Sequence, residues 1–199
     1  MLLEKYLAAA RSIVREALGS TSFSSALFTR KAPQQSVQRR AYARELLRGF
    51  ATRAFRRPVD EQTLERLVAL AQGVYQQPGE TFEAGIGQGL VAVLSSPRFL
   101  FRLEAPDGTA TTGTTARLDE YSLASRLSYF LWSTMPDDEL LQLARAGQLR
   151  KHLKEQVQRM LADARSENFI QNFTGQWLKT RDVEAFPINE EVVLARDNG

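Results

Sequence analysis

The residues with the clearest potential for chemistry are the arginines between positions 30 and 57. This stretch holds nine basic side chains and one acid, Glu45. Arg40, Arg44 and Arg48 recur at every fourth position, which places them on one flank of a helix. Such a stripe is the electrostatic footprint of a polyanion site. With their neighbours these residues make six candidate binding residues: Arg40, Arg44, Arg48, Arg53, Arg56 and Arg57.

The charge of the remaining chain supplies a competing interpretation of this stripe. Residues 58–199 hold fourteen basic and twenty acidic side chains, a net charge of −6. Because Arg is suited to bidentate carboxylate pairing, we expect at least two of Arg40, Arg44 and Arg48 to contact Asp or Glu from other helices. A partner protein or an anionic glycan is the second interpretation. Nucleic acid is the least favoured ligand.

Two further groups of titratable side chains could perform chemistry. Asp137, Asp138 and Glu139 are adjacent, so on a helix they diverge and converge poorly on one metal ion. In a first helical turn they would instead complement the helix dipole. The single histidine, His152, has basic neighbours and no evident carboxylate orienter, and we interpret it as exposed and noncatalytic. A Ser/His/Asp triad assembled from distant positions stays open.

Glycine spacing and aromatic spacing both favour packing over ligand binding. The run Gly85-Ile86-Gly87-Gln88-Gly89 lacks the third glycine of the dinucleotide fingerprint and the Gly-Lys-Ser/Thr of a P-loop. We interpret it as a helix face that another helix approaches closely. Six aromatic residues at helical spacing predict a core cluster rather than a ligand pocket. They are Tyr129, Phe130, Trp132, Phe169, Phe173 and Trp177.

Composition excludes several classes of protein. The chain has 199 residues, 43% hydrophobic and 25% charged, which is enough apolar material for a core. No cysteine and one histidine exclude thiolate zinc sites, Fe–S clusters, covalent haem attachment and two-histidine metal sites within this chain. We therefore expect no tightly bound metal or haem in it. No segment is apolar enough to be a membrane span, and charges interrupt residues 1–18, so no signal peptide is predicted.

Apolar residues recur with a period near 3.6 in almost every segment, which predicts an all-α fold. We expect about eight or nine helices in two packed helical sub-bundles. The first is an N-terminal helical region at 1–104, with the basic helix at 36–57. A Thr/Gly-rich linker at 105–117 separates it from a C-terminal helical region at 118–199. Predicted helix caps include Asp60, Thr81 and Ser96, with Ser133 or Thr134 before a helix that starts at Pro136.

The chain from 182 onwards contains no clear helix stop, and we interpret the sequence as a fragment in which Met1 can be an internal methionine. Helices at a cut end lack packing partners. Six apolar residues there should consequently be loosely packed or exposed. They are Phe186, Pro187, Ile188, Val192, Val193 and Leu194.

Five strings in combination resemble one group of proteins. They are MLLEKYLAAA at 1–10, ATRAFRRPVDEQTLERL at 51–67, FEAGIGQGLVAVLSSPRFLFRLE at 82–104, LASRLSYFLWSTMPDDELLQLARAGQL at 123–149 and QVQRMLADARSENFIQNFTGQWL at 156–178. The group is the large planctomycete-type exported proteins that carry c-type cytochrome segments beside helical domains of unknown function. The chain departs from the group where Tyr42 and Ala43 replace a frequent cysteine, and it has no Cys-x-x-Cys-His segment.

The resemblance implies an exported or periplasmic protein whose haem is bound only by parts absent from this chain. It also implies that the partners are other domains of the same longer protein, including cytochrome segments. It supplies no catalytic residues. We therefore predict a helical scaffold or interaction module of an exported, cytochrome c-associated protein. The alternatives are an enzyme domain whose site is completed by missing C-terminal parts, and a basic polyanion-binding module.

Overall fold

The computed structural model describes residues 2–108 and 117–178, and 72% of these residues are helical. This confirms the all-α prediction. The N-terminal half forms α1 (Leu2–Gly19), α2 (Thr21–Leu27), α3 (Ser36–Phe55), α4 (Glu61–Tyr75), α5 (Phe82–Leu94) and α6 (Pro97–Leu100). The C-terminal half forms α7 (Glu120–Trp132), α8 (Asp138–Arg145), α9 (Leu153–Ala162) and α10 (Glu167–Trp177), with a 3₁₀ turn at Ala164–Ser166.

One of these helices was not predicted. Residues 19–35 read as a loop because Ser and Thr have low helix propensity, yet α2 forms at Thr21–Leu27. Phe23 and Leu27 pack against the core of the N-terminal half, and this contact stabilises a helix that propensity alone does not favour.

Most of the predicted caps are present. The side chains of Asp60, Thr81 and Ser96 accept hydrogen bonds from backbone N–H groups at the starts of α4, α5 and α6. The predicted cap of α8 was wrong. The helix starts at Asp138, and the carboxylate of Asp137 accepts from the N–H of Leu140 at 3.0 Å.

The described chain divides into two compact units, at Ser122/Leu123 within α7. In the first unit, α5 contacts α1, α3 and α4. The core between these helices is apolar, and each fully buried Leu or Ile contributes about 1.5–3 kcal/mol to stability. Its most buried large side chains are Tyr42, Leu47, Leu64, Val68, Ile86, Leu90 and Val93.

The core of the second unit surrounds Trp132, which is 1% exposed. Its indole N–H donates to the carbonyl of Met160 at 2.9 Å, which joins the end of α7 to α9. The guanidinium of Arg165 lies 3.5 Å from the centre of the indole ring, a cation–π contact. Leu140 and Leu149 are also fully buried in this unit.

The predicted linker is described only at its two ends. Residues 109–116 lie outside the described residues, so the boundaries proposed for the two regions stay a prediction. Ala105 and Asp107 pair with Asp119 and Arg117 through backbone hydrogen bonds of 2.9 and 2.8 Å, around an isolated antiparallel bridge. The two ends therefore meet, and the stretch between them starts and finishes in the first unit.

The apolar segment at the C-terminus, predicted to be loosely packed or exposed, also lies outside the described residues, which end at 178. Among the helices of the described part, none combines the length and apolar character that crossing a membrane requires.

Candidate interaction surface

The arginine stripe of α3 contacts carboxylates of α4. Arg40 donates to Glu65 at 2.5 Å, Arg44 contacts both Glu61 and Glu65, and Arg48 donates to Glu61 at 2.8 Å. All three arginines thus meet an acid from another helix. The prediction that at least two would do so is confirmed.

These contacts change the character of the predicted binding face. The hydrogen bond from Arg48 and the charges of Arg44 and Arg48 lower the pKa of Glu61. At neutral pH the carboxylate of Glu61 is therefore ionised and paired with Arg44 and Arg48. Three arginines share two glutamates, so the face keeps a small positive excess rather than an open row of unpaired cations. Binding of an external polyanion by these residues stays a prediction.

Arg56 is buried at the C-terminal end of α3 and bonds to backbone groups of the same unit. It is the residue after α3, its backbone is left-handed with φ 59°, and it is 6% exposed. One guanidinium nitrogen donates to the carbonyls of Arg98, Phe99 and Phe101 at 2.9, 3.1 and 3.1 Å. These acceptors lie in and just after α6. The side chain therefore attaches that short helix to the end of α3.

The remaining two predicted arginines flank this residue. Arg57 forms an ion pair with Asp119 at 3.1 Å and donates to the hydroxyl of Ser122 at 3.0 Å. Arg53 lies in the last turn of α3. The structure thus brings the six predicted residues onto one helix and its C-terminal end, and at least five of them bond other elements of the same unit.

The glycine run of α5 is a packing face, as predicted. A methyl group at Gly85 would lie 2.5 Å from the carbonyl oxygen of Ala71 in α4. One at Gly89 would lie 2.6 Å from the side chain of Leu47 in α3, and one at Gly87 would overlap α1. Three neighbouring helices therefore each approach α5 at a different glycine.

Asp137 and its neighbours form an ion-pair cluster in the second unit. Arg159 of α9 donates to both carboxylate oxygens of Asp137 and lies 3.4 Å from Glu139. Burial by itself raises the pKa of Asp137, but the hydrogen bonds from Arg159 and from the N–H of Leu140 outweigh it, and the pKa lies below its usual value. The acids therefore do more than complement a helix dipole, because they also bind α8 to α9.

His152 is partly exposed and has a carboxylate partner that the sequence interpretation missed. Its Nδ1 lies 2.6 Å from Oε2 of Glu155, three residues later. The spacing i, i+3 was the available signal. Among the described residues, no three His, Asp or Glu side chains are grouped as ligands for a metal ion.

The predicted aromatic core was wrong for half of its members. Trp132 is buried, and Tyr129 and Phe169 are half-buried. Phe130, Phe173 and Trp177, by contrast, are 56%, 45% and 72% exposed.

Four of the six aromatic side chains contact one another in a line that we call the aromatic row, in which three rings are exposed and Phe169 is half-buried. It runs from Phe130 of α7 through Phe169 and Phe173 to Trp177 of α10, with successive ring centres 4.9, 5.2 and 6.1 Å apart. An advance of four residues along a helix is about 6 Å, which accounts for the last two spacings.

The attachment of α10 explains why its rings are exposed. Its contacts with the end of α7 include two amides: Asn168 donates to the carbonyl of Trp132, and Asn172 donates to the hydroxyl of Ser133, both at 3.1 Å. Gly175 is the one residue of α10 that is fully buried. Ile170, Phe173 and Trp177 lie away from this contact and are exposed, whereas Phe169 lies next to it, is half-buried and contacts Phe130.

The apolar surface extends beyond the row. Ile170 and Leu178, which follow Phe169 and Trp177 directly in the sequence, are also exposed. Within residues 167–178 the single charged side chain is Glu167, although a quarter of the whole chain is charged. This local depletion of charge was the signal in the sequence that could have identified an interface, because interface cores are poor in charge and rich in aromatic residues.

Comparisons with known proteins identify two related segments. Residues 42–104 match the family model PSD5, protein of unknown function (DUF1595), and residues 118–197 match PSD4, protein of unknown function (DUF1592). No curated protein and no solved structure matches the chain. The first match runs from within α3 to just after α6, and the second begins just before α7 and includes the aromatic row. Two domains of unknown function are therefore present in the chain, one similar to each of these families.

Proposed function

We propose that the chain is a helical scaffold and protein-interaction module whose contact surface is the aromatic row with Ile170 and Leu178. The exposure of three of the four contacting rings is the observation that carries the proposal. Its outermost ring, Trp177, is 72% exposed.

The composition of the surface favours a protein as its ligand. Clusters of exposed apolar residues mark interaction sites more often than chance placement, and Trp is among the residues that dominate interface energetics. A polyanion would require positive charge along the row, and residues 167–178 carry no basic side chain. The rings contact one another in succession, tilted by 58° between Phe130 and Phe169 and by 24° in the other two pairs, so they present a mainly apolar surface.

The two alternative functions have weaker support. A polyanion-binding module would depend on the six arginines, and at least five of them bond groups of their own unit. An enzyme domain would be expected to group acids and bases with altered pKa values in one cleft. The described carboxylates with altered pKa are Asp60, Glu61, Asp137 and Asp163, and each is the partner of an arginine.

The resemblance to planctomycete-type exported proteins supplies the biological setting of this proposal. In that setting the chain is a piece of a longer, exported or periplasmic protein with c-type cytochrome segments. It binds no cofactor of its own, nucleic acid is not its ligand, and it positions domains that perform electron transfer elsewhere. Its protein partners are domains of the same longer protein.

A titration with neighbouring segments tests the proposal. The chain is mixed with polypeptides encoded on either side of it in the same reading frame, and binding is measured by calorimetry. We expect saturable binding that Phe173→Ser weakens at least tenfold. Phe101→Ser is the matched control, since Phe101 is 57% exposed but lies in the other unit. Binding that neither substitution changes would contradict a role for the row.

A further inference from the structure

The aromatic residues of α10 are spaced symmetrically about Phe173, and this spacing indicates which partner binds the aromatic row. Within α10 the rings fall at Phe169, Phe173 and Trp177, so one aromatic residue lies four positions before Phe173 and another four positions after it. An antiparallel copy of the same helix would therefore place Phe173 against Phe173 and Phe169 against Trp177. A two-fold interface has this property, because every contact in it occurs twice.

We infer that the aromatic row binds the aromatic row of a second copy of this chain, with the two α10 helices antiparallel about Phe173. The inference depends on the proposed function, since it requires the row to be a contact surface. It also names the role of the scaffold: two copies of the longer protein are joined, and the domains attached to each are brought together.

The placement of charge favours this arrangement over a parallel one. Glu167 is the one charge in residues 167–178 and lies at the start of α10. A parallel pairing would bring two Glu167 carboxylates together. An antiparallel pairing centred on Phe173 separates them by twelve residues along the helix direction, about 18 Å at 1.5 Å per residue. The remaining polar side chains of this helix are four neutral amides and Thr174, so no further charge on α10 opposes the approach of a second copy.

The available area is sufficient for a weak dimer. Six large side chains, each offering about half of roughly 200 Å², provide about 600 Å² per copy. A symmetric pair would bury about 1,200 Å², which is the lower end of the range for specific interfaces. The four aromatic side chains lose few rotamers on binding, because each already contacts a neighbouring ring. We therefore expect an equilibrium between monomer and dimer that depends on protein concentration.

Sedimentation equilibrium of the whole chain over a wide concentration range tests the inference. We expect a reversible dimer, and we expect Phe173→Asp to raise its dissociation constant about 30-fold or more, since the substitution places two carboxylates at the two-fold axis. Phe101→Asp is the control and should leave the constant unchanged. Because both rings are about half exposed, circular dichroism should show wild-type helix content in each variant.

Disulfide crosslinking tests the register, and the chain has no cysteine of its own to interfere. Positions 170 and 176 are symmetric about Phe173. A mixture of Ile170→Cys and Gln176→Cys chains should therefore form the mixed disulfide several times faster than either chain crosslinks to itself. Equal rates would overturn the antiparallel arrangement.

The possible failures are distinguishable. A chain that stays monomeric, or a dimer that Phe173→Asp does not weaken, overturns the second copy as occupant. If the monomer still binds neighbouring segments through Phe173, the proposed function stands with a different partner. If it binds none and Trp177 resists quenching by acrylamide, the row is covered within its own chain, and both proposals fall.

Discussion

Asp137 and Arg159 form a two-point ion pair that joins the start of α8 to α9. The carboxylate oxygens lie 2.8 and 3.2 Å from the two terminal nitrogens of the guanidinium, and one of them also accepts the N–H of Leu140. A single carboxylate therefore begins one helix and fixes the position of another.

Replacing this carboxylate should destabilise the second unit. Asp137→Asn keeps a capping oxygen but loses the charged pair, and we expect the free energy of unfolding to fall by about 1–3 kcal/mol. Urea denaturation followed by circular dichroism measures the change. Glu155→Gln is a suitable control, because Glu155 is an exposed carboxylate on the same α9 and should change stability little. Equal losses in the two variants would show that the pair has no special role.

The same carboxylate predicts a pH dependence. The pKa of Asp137 in the folded protein lies below its ordinary value of 3.8. A group with a depressed folded pKa stabilises the fold above its unfolded pKa, and this stabilisation is lost as the pH falls through the folded pKa. The stability difference between wild type and Asp137→Asn should therefore be constant above about pH 5 and shrink below 3.8. A difference that persists undiminished at lower pH would contradict the ion pair as its source.

The space around the glycines of α4 and α5 predicts how much each Gly→Ala substitution changes the free energy of unfolding. Gly85→Ala should cost about 2–4 kcal/mol, because the new methyl group meets a backbone carbonyl of α4 that cannot rotate away. Gly89→Ala should cost less, since the end of the Leu47 side chain can move. Gly73→Ala has open space around it and should stabilise α4 by up to about 1 kcal/mol. Thermal denaturation of the three variants measures the order, and a neutral Gly85→Ala would refute it.

From the contacts of Arg56 we predict that a positive charge alone does not preserve the attachment of α6 to α3. Arg56→Lys retains the positive charge, but the lysine side chain is one bond shorter, so its ammonium does not reach the place from which one guanidinium nitrogen contacts three carbonyls. We expect a loss of about 2–3 kcal/mol in unfolding free energy. Hydrogen exchange should show faster exchange of the backbone amides of residues 98–101 in this variant. Wild-type exchange there would indicate that Arg56 does not hold α6.

The paired arginine stripe predicts weak recruitment of polyanions. Because Glu61 and Glu65 already contact Arg40, Arg44 and Arg48, the triple Arg→Ala variant should bind DNA or heparin almost as weakly as wild type at two salt concentrations. Replacing Lys5, Arg11 and Arg15 of α1 by Ala removes the same charge and is the control. Tight wild-type binding that falls steeply with salt and disappears in the stripe variant alone would establish a polyanion site.

Local sequence predicted much of the first unit correctly. Leu64, Leu67, Val68, Ala71 and Tyr75 follow a helical period, and all five are buried on one face of α4. Asp60 was identified as the residue that begins this helix, and it does so. Periodicity and capping depend on neighbours within a few residues, so a sequence read by itself contains the information that determines them.

The ion pairs between acids and arginines could be predicted only in part from the sequence. Net charge on the two sides of residue 58 was sufficient to predict that the stripe would pair, but not that Glu61 and Glu65 would be the partners. Likewise, the sequence predicted that Asp137 lies near the start of a helix. It did not predict that Asp137 bonds to Arg159, 22 residues away. Such pairs depend on which helices become neighbours, and sequence spacing does not specify that.

The aromatic residues show what only the tertiary structure decided. Trp132 and Trp177 each belong to an amphipathic helix, and the sequence gives both the same expectation of burial. In the structure Trp132 lies beneath Met160 and Arg165, whereas Trp177 is largely exposed to solvent. A helical period determines which side chains share a face, but a face is buried only when another element covers it. The covering element is set by contacts between residues distant in the chain, and for α10 those contacts involve Asn168, Asn172 and Phe169 and leave Phe173 and Trp177 exposed.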